Sequence, residues 1–216
     1  MSKVLMAPQP TLIYHITHKD NLRGIVASGA LIAQSQIQSE AIDYCNIAHG
    51  NIQDRRAQTA VPCGPGGCLH DFVPFYFAAR SPMLYAIHKG NVEGCAAEQS
   101  DIVYLVTIAQ RIEAEGVPFV FTDGHGVMAM SEFFADLQDL DAVDWEIMAA
   151  QYWTDTPDDP DRKRRRQAEF LIHERLPWSL IEEICVMNET TQGEVGSTLR
   201  DAPYQPPVNI RRAWYY

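Results

Sequence analysis

Two stretches of the chain hold residues that could do chemistry rather than pack. Residues 14–18, "YHITH", put His15, Thr17 and His18 beside the apolar Leu12, Ile13 and Ile16, on a segment that runs straight into a capped helix. A histidine at a strand end is either a satisfied packing residue or a hydrogen-bonding group offered to a ligand, and the residue type alone leaves both open. Further on, "RKRRRQAEFLIH" sets five cations, Arg162 to Arg166, directly before Gln167 and Glu169. Two apart at the mouth of a strand, Gln167 and Glu169 are expected on the same face. A carboxylate there is not explained by burial. The cations are either a solvated partner for the ten Asp and Glu between Ser131 and Asp161, a span with no Lys or Arg, or an anion-binding edge.

Other candidates are weaker. Cys63, Cys68 and His70, with Cys95 as a fourth, are residue types that bind zinc, but a C-x4-C spacing with no second tight pair is a poor match and no metal is expected. His70 and Asp71 lack the further ligands of a metal phosphohydrolase and read as a loop-positioning pair. "GPGG" is not a phosphate-binding P-loop, because no Lys and Ser or Thr follow in the required places. The formal charge of -11 opposes nucleic-acid binding at first sight, yet outside the acidic stretch the chain is close to neutral.

These groups need a scaffold. At 216 residues with 46% hydrophobic content, the chain can bury a core without staples and is expected to form one domain, 1–216. No apolar run approaches the ~20 residues of a membrane span. "MSKVLMAPQP" lacks the apolar stretch of a signal peptide, and five cysteines are an odd count for a disulfide framework, so a cytoplasmic protein with free thiols and no membrane association is expected. Leu12 to Thr17 reads as a strand, with Asp20 capping a helix that Gly29 ends. Residues 34–60 are polar and weakly periodic and are expected to be a mobile connection, followed by a turn-rich "VPCGPGGC". "FVPFYFA", "DIVYLVTI", "VPFVFTD", "EFLIH" and "IEEICVM" read as strands, with "NIRRAWYY" as a possible edge strand. Ser81 and Pro82 open a helix closing at Gly90, and "FFADLQDLDAVDWEIMAAQYW" has helical spacing before the exposed loop "TDTPDDPD". Such non-alternating elements make a mixed α+β domain.

A Q-x-E at a strand mouth after a flexible loop, together with a His at the end of the first strand, resembles the ADP-ribosyltransferases. Seven segments narrow this: "IYHITHKDNLRGI", "NIQDRRAQTAVP", "PGGCLHDFVPFYFAARSPMLYAI", "PFVFTDGHGV", "QAEFL", "PWSLIEEI" and "WYY". In this order, over nearly the whole chain, they resemble the DarT family, bacterial toxins that ADP-ribosylate bases of single-stranded DNA, and most closely the members that modify thymidine. Cys63 and Cys68 are not part of that pattern.

The resemblance implies an α+β fold with an ADP-ribosyltransferase-like split β-sheet core and surrounding helices. It implies NAD as co-substrate, single-stranded DNA as acceptor, and a DarG-type macrodomain antitoxin as partner. By the same resemblance His15, Ile16 and Thr17 contact NAD with Gly24 and Ile32 behind them, Arg56 is the essential arginine and Glu169 the catalytic glutamate. The loop that presents the DNA base falls between His125 and Glu169, and Arg162, Arg164, Arg165, Arg166 and Gln167 are expected to face DNA. His18 is expected to be structural or to stand behind the residues that contact NAD.

Chemistry constrains the roles. Cleaving the bond to nicotinamide builds positive charge at the ribose anomeric carbon, which Glu169 could stabilise. A guanidinium is a permanent cation near neutral pH, so Arg56 is expected to act electrostatically, on an NAD phosphate and on the anionic base, with Glu169 a candidate to take the acceptor proton. The rival of another class is a non-enzymatic single-stranded nucleic-acid-binding module, in which the arginine run lies beside the stacking residues Tyr152 and Trp153. It leaves His15, Arg56 and Glu169 unexplained.

Overall fold

A computed structural model describes residues 5–216. The expectation about the N-terminal decapeptide falls partly on residues 1–4, outside the described residues. Among the described residues no helix is long and apolar enough to cross a membrane.

The frame is one mixed eight-stranded sheet whose two halves barely touch. In the first half β1 (Leu12–His18) pairs along its whole length with β4 (Ile102–Ile108), from Leu12 opposite Ile108 to His18 opposite Ile102. In the second half, beyond β2 (Ala30–Ile32) in sequence, β3 (Phe72–Tyr76) pairs along its length with β7 (Glu169–His173), and β5 (Phe119–Thr122) and β6 (Phe133–Phe134) extend that edge. The halves meet only at Tyr14 opposite Tyr76. Beyond that point β1 and β3 diverge, which is the split expected of the core. The other edge is closed by β9 (Glu183–Val186) and the parallel β10 (Val208–Ile210), and β8 (Arg175–Pro177) makes a separate two-stranded ladder with β2.

Strand sequence follows position. β4, "IVYLVTI", is central and covered on both faces, so nearly every residue is apolar and buried. One face packs Phe75, Phe77, Phe121, Phe170 and Trp145, and the other packs Ile16, Leu84, Ile102, Tyr104 and Tyr215. Each such side chain contributes roughly 1.5–3 kcal/mol through burial. Helix α1 (Leu22–Ser28) ends on Gly29 at φ 70°, the left-handed conformation that glycine adopts without cost.

Several expectations change. Residues 34–60 are not an unstructured connection but carry α2 (Gln34–Ser39) and α3 (Gly50–Gln58). Their polarity misled because they cover a cleft rather than a core: of α3 only Arg56 is buried. Asp20 does not cap α1; a 3-10 turn (Lys19–Asn21) intervenes, and the His18 imidazole caps that turn by accepting from the Asp20 amide. This contact is local to the turn. Helix α4 (Pro82–His88) does begin on Ser81, whose hydroxyl accepts from the Leu84 amide.

Helix α5 (Ala109–Ala114) follows β4 directly. The long helix expected over 133–153 is broken into β6, a 3-10 segment (Leu137–Ala142) and the short α6 (Trp145–Ala149). The cause is Asp136 and Asp144, whose carboxylates accept from the Gln138 and Ile147 amides and so start new turns inside the run. Helix α7 (Arg162–Arg165) contains most of the basic run, and α8 (Glu189–Leu199) precedes the edge strand, which is confined to 208–210.

Candidate active site

The divergence of β1 and β3 opens a cleft of about 290 Å³, roofed by α1 and the 34–58 segment. His15, Ile16, Thr17, Gly24, Ile32, Arg56, His125 and Glu169 all line it, gathered from six separate parts of the chain.

His15 stands where the strands part. Its Nδ1 donates to the Pro74 carbonyl on β3 at 2.8 Å. A carbonyl only accepts, so Nδ1 carries the hydrogen and Nε2 keeps a lone pair for a hydroxyl donor. Burial pushes the ring pKa down to about 4, against a smaller upward pull from Pro74, so the imidazole is neutral at physiological pH. Thr17 Oγ1 accepts from Asn21, whose side chain also bonds the Cys45 amide and carbonyl. That chain of bonds holds the roof segment to β1.

Glu169 is the first residue of β7 and is only 3% exposed. Its Oε2 accepts from Arg56 Nη1 at 2.6 Å, and its Oε1 accepts from His125 Nδ1 at 3.1 Å and the Gly126 amide at 3.4 Å. Burial by itself would raise its pKa. The Arg56 guanidinium and then His125 outweigh burial and hold the carboxyl at about 2, below the ordinary 4.5. Arg56, also buried, is braced by the Leu69 carbonyl. The site thus rests with an ionised carboxylate whose two oxygens are both engaged, which makes it a weak base and a strong fixed negative charge.

The residues expected to face DNA separate. His125 joins the carboxylate. Gln167 does not share a face with Glu169: it lies in the turn before β7, and its amide donates to the Lys163 carbonyl. The arginine run is not a free cationic edge. Arg162 bonds the Tyr152 and Thr154 carbonyls, Arg164 pairs with Asp123 and Asp161, and Arg165 pairs with Asp144 and Asp159. Arg166 is buried and donates to the carbonyls of Ala79, Ile147, Met148 and Ala150. Of the five, Lys163 alone is exposed. Some of these partners are local in sequence, as Asp159 and Asp161 are, but Asp123 and Asp144 reach the run only through the fold.

Sequence reasoning passed over Asn21 and Tyr76. Tyr76 lines the cleft opposite Glu169 in the β3–β7 register, its hydroxyl donates to Met83 Sδ at 3.7 Å, and burial, then the carboxylate, raise its pKa. Its signal was the alternation in "FVPFY", where Pro74 and Tyr76 are the half-buried residues of an otherwise buried strand. His70 donates or accepts at Gln53, and no cluster of three metal-binding side chains occurs among the described residues.

A family model described as "ssDNA thymidine ADP-ribosyltransferase, DarT" matches residues 14–216. The chain belongs to the DarT family. A DNA ADP-ribosyl transferase of Thermus sp. (strain 2.9) is 47% identical over 211 residues, covering 97% of this chain and 98% of that protein. A solved structure of Thermus sp. 2.9 DarT in complex with ADP-ribosylated ssDNA matches with a TM-score of 0.93 at 45% identity, covering 99% of this chain and all of the other. The structure of the same DarT with NAD+ gives 0.86 at 44% identity, covering 98% and 100%. A more distant relative, from Thermosipho africanus (strain H17ap60334), is a DNA ADP-ribosyl transferase–DNA ADP-ribosyl glycohydrolase fusion protein, 24% identical over 91% of this chain and 47% of its own length.

Proposed function

We propose that Glu169, Arg56, His125 and His15 divide the work of one reaction, in which the chain, as a single domain, transfers ADP-ribose from NAD to a thymidine base of single-stranded DNA and releases nicotinamide. As a DarT, the protein is an NAD-dependent DNA ADP-ribosyltransferase. The observation that carries the division of roles is the buried Glu169 carboxylate, held ionised between Arg56 and His125 on the floor of a cleft.

His15, with Ile16, Thr17, Gly24 and Ile32, binds NAD, its free Nε2 accepting from a ribose hydroxyl. As the glycosidic bond breaks, cationic character grows on the ribose, and a pre-ionised carboxylate in a dry site stabilises it without reorganisation. Arg56 keeps Glu169 charged at rest. On substrate binding it turns to the acceptor base and favours loss of the imide proton, which passes to the Glu169 carboxylate that Arg56 has released. A carboxyl held near 2 is a poor proton acceptor, so in the resting geometry Glu169 acts as charge rather than base. No metal is required, because this charge development is met by a carboxylate and hydrogen bonds.

The segment between His125 and Glu169 presents the base. The natural partner is a DarG-type macrodomain antitoxin that removes the mark, a reading supported by the transferase–glycohydrolase fusion, and the setting is the cytoplasm. A passive nucleic-acid module would have no use for a buried ionised carboxylate in a cleft. Incubation with NAD and a thymidine-containing single strand tests the reading. ADP-ribose added to the DNA, with one nicotinamide released for each, is expected; a strand lacking thymidine modified equally well would overturn the base assignment.

A further inference from the structure

The basic run expected to face DNA is turned inward, and one of its members is wired to the catalytic carboxylate. The Arg164 side chain is 11% exposed and bridges two carboxylates. Nη1 donates to Asp123 at 3.0 and 3.1 Å and to Ser131 Oγ at 3.2 Å, while Nε and Nη2 donate to Asp161 at 2.8–3.1 Å. Between Asp123 and Ser131 lies His125, whose amide ends on the Arg164 backbone and whose carbonyl, which also accepts from the Met128 amide, is reached from the guanidinium through Ser131. The His125 amide donates to the Arg164 carbonyl at 3.0 Å. The His125 carbonyl accepts from Ser131 Oγ at 2.8 Å, the same hydroxyl that takes the guanidinium bond. The Arg164 carbonyl also accepts from the Gln167 amide at 3.0 Å, two residues before Glu169. Gly124 completes the fit, since a Cβ there would overlap the Arg164 guanidinium.

We propose that Arg164 is a positioning residue for the transfer reaction: it fixes the backbone of His125 so that the imidazole meets the Glu169 carboxylate, and it does not contact DNA phosphate. The inference rests on the reading of Glu169 as the catalytic charge. A fork with both edges filled by carboxylates keeps a single N–H, on Nη2, and no free edge with which to grip a phosphate. Small misplacements of a charge-stabilising pair cost rate rather than affinity.

The test is a double-mutant cycle on the full chain between Arg164→Ala and His125→Ala, read as kcat for transfer to a thymidine-containing single strand, with DNA affinity measured over a range of salt. Arg164→Ala alone is expected to lower kcat about 10- to 100-fold. In the His125→Ala background it should lower kcat by less than about 2-fold, because its route to the carboxylate is already cut. The salt slope of DNA binding should stay at its wild-type value. Gly124→Ala, which displaces the same guanidinium from the other side, should reproduce the kcat loss. If Arg164→Ala does not fold, Arg164→Lys, which keeps the cation and loses the fork, takes its place in the cycle. Losses that multiply in the double variant, or a slope smaller by about 0.7 as for one lost phosphate contact, would overturn the inference. A wild-type protein that modifies no DNA would instead overturn the functional reading.

Discussion

Replacing Glu169 by Gln keeps the shape of the side chain and removes the charge on which the site is built, and the consequence for stability has a definite pH signature. A folded-state pKa of about 2 against an ordinary 4.5, at about 1.4 kcal/mol for each pKa unit, means that ionised Glu169 favours the folded state by ~3 kcal/mol. The sign follows from proton counting. Between pH 4.5 and 2 the unfolded chain binds the proton and the folded chain does not, so the contribution is complete above about pH 4.5 and disappears as pH falls through 2.

The linkage relation leaves most of it at pH 4 and less than half at pH 3. Burial at 3% exposure means that solvent screens this pair little. Urea denaturation of wild type and Glu169→Gln at pH 7, 5, 4 and 3 gives the stability gap at each pH. The gap at pH 7 also contains the cost of leaving Arg56 unpaired, but that cost is shared across the series. Its decline by ~2 kcal/mol between pH 7 and 3 isolates the carboxylate. A gap that stays flat would show that Glu169 is not held ionised by Arg56 and His125, and the charge-based mechanism would fall with it.

Glu169→Ala should still bind NAD and DNA while transfer slows at least ~100-fold, checked by calorimetry alongside single-turnover assays. Arg56→Lys should retain part of the activity and Arg56→Ala very little; with NAD binding intact, raising pH should partly rescue Arg56→Ala on DNA, and no rescue would argue against Arg56 as the cation favouring the deprotonated base. His15, with a folded pKa near 4 against 6.5, makes the wild-type protein lose stability as pH falls from 6.5 to 4, because the unfolded chain then binds the extra proton; His15→Gln should remove that part of the acid sensitivity in melts and raise the KM for NAD. Arg166→Ala should lower the melting temperature by several degrees, since four carbonyls each lose a guanidinium bond.

Much of the frame is decided locally and was legible in the residues. "IVYLVTI" and "EFLIH" are strands wherever they lie, because apolar β-branched and aromatic runs fit a sheet covered on both faces. Ser81 with Pro82 starts a helix by satisfying its own orphan amides. His15, Arg56 and Glu169 could be picked out because a shared order of motifs marks them, though nothing in the spacing of residues 15, 56 and 169 says that they meet. That meeting needs β1 and β3 to touch at a single pair and then part, a property of two sheet halves and not of either strand.

The polar 34–60 segment was read wrongly, and the Arg162–Arg166 run was left open between an acidic partner and an anion-binding edge, for a common reason. Polarity and charge report what a side chain needs, and only the fold decides which partner supplies it. Helix α3 is polar because it roofs a cleft, and the charge of Arg164 is met because Asp123, forty-one residues away in sequence, arrives beside it. A carboxylate and a phosphate make the same demand on a guanidinium, so the sequence determined that the run would bind anions, and the tertiary structure decided that the anions are the protein's own.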